Sequence, residues 1–174
     1  MSLIKALVAC DARSVLAGVI CDPAAAARAH AAGEGASVEL SVGAGSGTPG
    51  ESPLAARFKV IALGDGRFTG TGPFYRGARF ELGPMALLEL GGVRIAVASR
   101  KQQAADQAMF RHLRVEPADY AVLALKSSVH FRADFGPIAS RVLVVEAPGP
   151  NIADPAKLPF RRLRPGMRTS PRRQ

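Results

Sequence analysis

Apolar residues along the chain fall in short blocks whose spacing changes from place to place, and the spacing names the elements. SVLAGVI (14–20) is a continuous apolar run of strand length. DPAAAARAHAAG (22–33) spells a helix from end to end: Asp22 as N-cap, Pro23 at the first helical position, alanines through the body and Gly33 as the stop. His30 falls in its last turn, where a cation suits the helix dipole, and is expected to be exposed. SVELSVG (37–43) alternates as a half-buried strand does. ARFKVIALGDGRFTGTG reads as two strands around the turn Gly64-Asp65-Gly66, a hairpin signature.

The second half changes rhythm. RFELGPMALLELGG (79–92) fits either strand or short helix, whereas GVRIAVAS (92–99) is a buried strand. KQQAADQAMFRHLR (101–114) carries Ala104, Ala108, Phe110 and Leu113 at near-helical spacing. YAVLAL (120–125) predicts a fully apolar strand, VHFRADFGPIAS (129–140) a short helix ended or kinked by Gly136-Pro137, and RVLVVEAPG (141–149) a last strand. Strands alternating with helices from 92 to 147 imply a parallel arrangement covered on both faces. The expected fold is a single α/β domain with a mixed sheet. Antiparallel hairpins fill its N-terminal half and strand-helix-strand-helix-strand its C-terminal half. Residues 1–14 form a lead-in, 15–160 the domain and 161–174 a basic tail.

Charge modifies this picture only at one end. Of the formal +9 over 174 residues, six arginines in RRLRPGMRTSPRRQ supply +6 without an acid, leaving +3 for the body. A tail of that density can hold phosphate, but it has no aromatic interleaving after Phe160 and the body carries no nucleic-acid fold signature. A solvated or partner-docked tail is the expectation, with a basic module for nucleic acid or small anions as the alternative. Two cysteines, Cys10 and Cys21, make no CxxC pair and no disulfide scaffold, so a reducing cytoplasm is expected. LVAC resembles a lipoprotein cleavage box, yet the apolar stretch between Lys5 and Cys10 is shorter than the about 7–15 residues a signal needs. No run approaches the ~20 apolar residues of a membrane span.

Candidate chemistry narrows to two junctions. Gly45-Ser46-Gly47-Thr48-Pro49-Gly50 fits GxGxxG and comes near a P-loop. Glu51, however, stands where a phosphate-binding lysine is needed, and Pro49 and Pro53 deny the following helix. His30, His112 and His130 are widely spaced and form no HExxH or Cys/His cluster, and Asp106 and His112 lack the four-residue spacing of a helical ligand pair. The junctions are Ser99-Arg100-Lys101-Gln102-Gln103, after strand 92–99, and Lys126 to Arg132, after strand 120–125. If those strands are parallel neighbours, both junctions leave the sheet at its carboxyl edge, where open α/β sheets bind ligands. Two helix N-termini, the hydroxyls of Ser99, Ser127 and Ser128, the cations of Arg100 and Lys126, and His130 would then suit a carboxylate or phosphate. The plainer expectation has Ser128 as an N-cap, Arg132 in solvent and His130 packed in the first turn. A serine-histidine hydrolase is excluded by geometry, because Asp134, one turn on, cannot align both partners.

Several blocks, in one order, resemble the C-terminal domain of the MlrC-like (microcystinase C) metallopeptidases. They are VICDPAAAARAHAAGEGA, GDGRFTGTGPFYRG, VASRKQQAADQAMFRHL, KSSVHFRADFGPIAS followed by VLVVEAPGP, and LPFRRLRP, spanning about residues 15 to 165. The resemblance implies a family in which a zinc-activated water hydrolyses a peptide bond, linearised microcystin peptides being the named substrates. It also implies metal ligands on a large N-terminal domain that this sequence does not contain. The Asp-Asn-Pro-Gly-Gly segment that opens the family's C-terminal domain, and is expected to face the metal, is replaced by MSLIKALVAC. Carried over residue by residue are Ser99, Arg100, Gln103, Lys126, Ser127, Ser128, His130, Phe131 and Arg132, as residues lining substrate or a domain interface. No catalytic or metal-ligating residue is expected in this chain. The expected partners are a metal-binding N-terminal domain or separate half and a peptide substrate, with a homo-oligomer also open.

Overall fold

The computed structural model describes residues 1–44, 52–147 and 154–170. The glycine-rich stretch 45–50 therefore lies outside the described residues. Helix α1 (Ser2–Ala9) precedes β1 (Val15–Cys21), α2 (Pro23–Ala32), β2 (Ser37–Val42) and β3 (Leu54–Gly64). Short strands β4 (Arg67–Thr69) and β5 (Arg79–Glu81) follow, then β6 (Met85–Leu90), β7 (Val93–Ala98), a single turn α3 (Ala108–Arg111), β8 (Val122–Leu125) and a single turn α4 (Arg132–Phe135). Six strands form one sheet in the order β2-β3-β6-β7-β1-β8, parallel where β1 meets β7 and β8 and antiparallel elsewhere. The mixed α/β architecture is as expected.

The strand period divides the core in two. Val15, Ala17, Ala86, Leu88, Ile95 and Val97 point to one face, where Ile4 of α1 and Ala25, Ala26 and Ala29 of α2 cover them. Leu16, Leu87, Ala96 and Ala98 point to the other, against Met109, Phe110, Leu113 and Phe135. Helix α2 is capped as read: the Asp22 carboxylate accepts from the Ala25 amide at 3.0 Å, and also from the Gly43 amide at 2.7 Å, tying the end of β2 to the start of the helix. His30 is not exposed as expected. It is half-buried, with Nε2 2.9 Å from the Met85 carbonyl, because α2 lies across the sheet over β6.

Four sequence expectations are corrected. The Gly64-Asp65-Gly66 turn makes no hairpin, since β3 pairs with β6 and β4 pairs with β5 in a separate two-stranded sheet. Gly66, at φ +77°, passes so close to Gly83 that a Cβ would lie 2.0 Å from the Gly83 carbonyl oxygen, and the Phe68 and Phe80 rings stack at 5.0 Å. These contacts pull β4 away from β3. Next, the helix expected over 101–114 shrinks to α3, although Ala104, Ala108, Phe110 and Leu113 are buried as their spacing implied. Its first half is drawn into tertiary hydrogen bonds instead, the Ala104 amide donating to the Lys126 carbonyl at 3.3 Å. β8 is an edge strand, its Val122 40% exposed, and not the buried strand its apolar run predicted. Finally, 141–147 joins no sheet and lies exposed.

Candidate functional site

β7 and β8 are not neighbours, because β1 lies between them and parallel to both. The consequence drawn from parallel strands nevertheless holds: SRKQQ and KSSVHFR leave the same carboxyl edge. The Lys126 amide donates to the Gly18 carbonyl of β1 at 2.8 Å while its carbonyl receives the Ala104 amide, so the second junction is stitched to both neighbours. One expected feature is missing. No helix starts at Ser99–Gln103, so that junction offers no helix N-terminus.

Three of the predicted side chains come together. The Gln103 side-chain amide donates to Ser127 Oγ at 2.7 Å and lies 3.0 Å from His130 Nδ1. Ser127 Oγ accepts in turn from the Phe131 amide at 3.3 Å. Ser127, and not Ser128, therefore caps this turn, because its hydroxyl sits four residues before the orphan amide it satisfies. Ser128 is exposed, as are His130, the Lys126 side chain and Arg132, whose guanidinium stands 5.3 Å from the Phe131 ring centre. Ser99 and Arg100 are turned elsewhere. Ser99 Oγ donates to the Pro84 carbonyl at 2.7 Å, and Arg100 donates to the Glu81 carbonyl at 3.1 Å with the Glu81 carboxylate 3.7 Å away. Ser127 Oγ faces Gln103 and not His130, so the structure contains no serine-histidine pair here.

A loop that no sequence pattern marked as functional roofs this cluster. Between β4 and β5 the chain runs Gly70-Thr71-Gly72-Pro73-Phe74-Tyr75, and Phe74 stacks on His130 with ring centres 4.0 Å apart and planes inclined by 15°. Tyr75 meets Phe74 edge-on at 4.6 Å, and its hydroxyl accepts from the Gln102 side chain at 2.8 Å. Fully buried Asp106 anchors the loop, accepting from the Gly72 amide at 2.9 Å, the Ala108 amide at 2.9 Å and the Thr71 hydroxyl at 3.4 Å. Asp134 completes the clamp by accepting from the Gln107 amide at 2.6 Å. Gly72 is packed so tightly that a Cβ would fall 2.6 Å from the Asp134 carboxyl group. The signal in sequence was a pair of aromatics after Gly-Thr-Gly-Pro, a rigid turn carrying rings.

His112 serves the fold elsewhere. Its Nε2 accepts from the Gly66 amide at 2.9 Å, and burial pushes the imidazole below its ordinary value against the opposing pull of Asp65. That acceptor role requires the neutral ring, so the 3.2 Å approach of Asp65 is not an ion pair in the resting state. Structural zinc takes about four ligands and catalytic zinc about three from His, Cys, Asp and Glu. Among the described residues no three such side chains come together. The described residues do not fit a zinc site. A shallow depression of about 440 Å³, bordered by Ser14, Glu89, Arg94 and Tyr120, opens at the opposite, amino edge of the parallel strands. Its Arg94 is already held by Glu89 and by the Tyr120 hydroxyl.

The candidate site is thus the carboxyl edge of a mixed α/β sheet, roofed by an aromatic loop, with no group of three metal-ligating side chains among the described residues. The family model for the MlrC C-terminus matches residues 1–162, and the chain belongs to that family. It is 32% identical over 145 residues to microcystinase C of a Sphingomonas species, a match covering 83% of this chain and 28% of that protein. It is also similar to a crystal structure from Mesorhizobium sp. BNC1 named "Putative metallopeptidase", with 29% identity and a TM-score of 0.80 over 94% of this chain and 33% of that one. The chain thus spans about a third of the length of these relatives. Among the described residues no helix is long and apolar enough to cross a membrane.

Proposed function

We propose that this chain is the substrate-side domain of an MlrC-type metallopeptidase, presenting the Gln103–Ser127–His130–Phe74 cluster to a peptide or to the metal-bearing part of the enzyme. The observation that carries this reading is the convergence of two separate junctions and an aromatic loop on one carboxyl edge. The chemistry suits a peptide. Lys126 and Arg132 are exposed cations able to meet a carboxylate, and Ser128 can pair with a peptide group. The flat Phe74–His130 stack offers an apolar platform. The hydrolytic water and the zinc that activates it belong, on this reading, to residues outside the chain, as the relatives' greater length allows. Metal analysis of the purified chain after equilibration with zinc tests this directly. Substoichiometric zinc and no hydrolysis of a linear peptide are expected, and one tightly held zinc per chain would overturn the assignment.

A further inference from the structure

His130 is exposed, yet its ring does not hang free. Phe74 covers one face at 4.0 Å, and the Gln103 side chain meets Nδ1. Exposed side chains ordinarily keep their rotamer freedom, so contacts that fix this ring also fix the direction of its other nitrogen. Among the described residues Nε2 has no hydrogen-bond partner, which leaves it for a ligand. Gln103 decides which nitrogen carries the hydrogen. Its NH₂ group donates to Ser127 Oγ at 2.7 Å and has a second hydrogen for His130 Nδ1 at 3.0 Å. Ser127 Oγ also accepts from the Phe131 amide at 3.3 Å, which ties the arrangement to the backbone. With Nδ1 accepting, a neutral ring carries its hydrogen on Nε2. A second proton would go to Nδ1, where Gln103 Oε1 stands 3.2 Å away to receive it. Nε2 is therefore a donor in either charge state. His112 is built the opposite way, its Nε2 accepting from the Gly66 amide, so a neutral ring there carries the hydrogen on Nδ1.

We propose, resting on the substrate-side reading above, that His130 donates from Nε2 to a carboxylate of the peptide and that Gln103 is the positioning residue that fixes this tautomer. The carboxylate is the peptide's chain end or an acidic side chain. It suits the junction better than a neutral carbonyl because Lys126 and Arg132 are exposed there and form no ion pair among the described residues. Asp134, the acid closest to them in sequence, is spent on the Gln107 amide at 2.6 Å. The same geometry denies His130 a second role. With its hydrogen on Nε2, the ring takes no proton from water or substrate at that atom.

Long-range proton–nitrogen spectra of the isotope-labelled chain separate the two imidazole tautomers and test the positioning without any peptide. Under alkaline conditions that leave imidazoles neutral, His130, identified by its loss in H130N, is expected in the Nε2–H form and His112 in the Nδ1–H form. Q103E offers only acceptor oxygens to Nδ1, so it should invert His130 and leave His112 unchanged. Q103L should leave His130 as an exchanging mixture. An Nδ1–H form in the wild type, or a His130 that ignores Q103E, overturns the inference. Three probes then locate the carboxylate: a linear alanine peptide with a free carboxyl end, its C-terminal amide, and that amide carrying one glutamate. The acid-bearing peptides are expected to shift the His130 Nε2 proton and to bind at least about tenfold more tightly than the acid-free amide. Binding of the free acid alone assigns the chain end, and binding of the glutamate peptide as well assigns acidic side chains too. Equal binding of all three overturns the carboxylate. If none binds while the tautomers are as expected, the substrate-side reading falls with the carboxylate and only the positioning by Gln103 stands.

Discussion

Replacing Asp106 with alanine isolates what holds the aromatic loop over the candidate site. The carboxylate is fully buried, and its two oxygens take the Gly72 and Ala108 amides at 2.9 Å each and the Thr71 hydroxyl at 3.4 Å. A hydrogen bond to a charged group contributes about 1.5–3 kcal/mol net, and a buried donor left without a partner costs about 1–3 kcal/mol. Counting the two short bonds alone, D106A is expected to destabilise the chain by about 3–5 kcal/mol, a large share of the about 5–15 kcal/mol that holds an ordinary domain together. D106N keeps one acceptor oxygen but turns an N–H₂ toward a backbone N–H, so it should lose roughly half to two-thirds of that amount. T71A removes only the long, half-buried bond and should cost about 0.5 kcal/mol. Urea unfolding followed by far-UV circular dichroism measures all three, the chain having no tryptophan to report by fluorescence. The ring-proton shift of His130, set by the Phe74 ring stacked at 4.0 Å, follows the loop itself and should move in D106N but hardly in T71A. If D106A and T71A agree within about 1 kcal/mol, the loop does not hang on this carboxylate and the reasoning fails.

Burial holds the His112 imidazole below its ordinary value of 6.5, so the native state favours the neutral ring. The stability this contributes is complete above that value and is lost as the pH falls below it, because the unfolded chain takes up a proton that the native site refuses. Melting temperatures should therefore drop between neutral and mildly acidic pH. The drop should be smaller in H112Q, and an equal drop in both would remove His112 as the cause. Gly66→Ala places a methyl group 2.0 Å from the Gly83 carbonyl at φ +77°, where only glycine is at ease. A loss of about 2–4 kcal/mol is expected by the same unfolding assay, and a loss under about 1 kcal/mol would mean that the turn can move apart without penalty.

What was legible in the sequence was local. Asp22, Pro23 and Gly33 write the ends of α2 in capping chemistry, and the structure follows them. The alternation in SVELSV and the apolar runs of 92–99 gave strands whose partners could not be read, because pairing is set by contacts far away in the chain. β1 comes between β7 and β8 although some seventy residues of other elements separate it from β7. KQQAADQAMFRHLR carried a true burial pattern and a false helix: side-chain spacing reports which residues face the core, whereas Asp106 and Ala104 spend their hydrogen bonds on the 70–75 loop and on Lys126. At the site, Gln103, Ser127 and His130 meet, while Ser99 and Arg100 are engaged by β5 and the turn that follows it. Phe74 escaped notice because nothing local ties it to a histidine fifty-six residues away. RVLVVEAPG had the composition of a core strand, yet its described part, 141–147, joins no sheet.

On the proposed function, the carboxyl-edge cluster is the surface that meets a peptide. Titrating the isotope-labelled chain with a linearised microcystin-type peptide and following backbone amide shifts puts that claim to the most direct trial. Shifts are expected to concentrate at Gln102, Gln103, Ser127–Arg132 and Phe74–Tyr75, and to disappear in F74A. Shifts confined to the amino-edge depression at Glu89, Arg94 and Tyr120, or no shifts up to about 1 mM peptide, would contradict it.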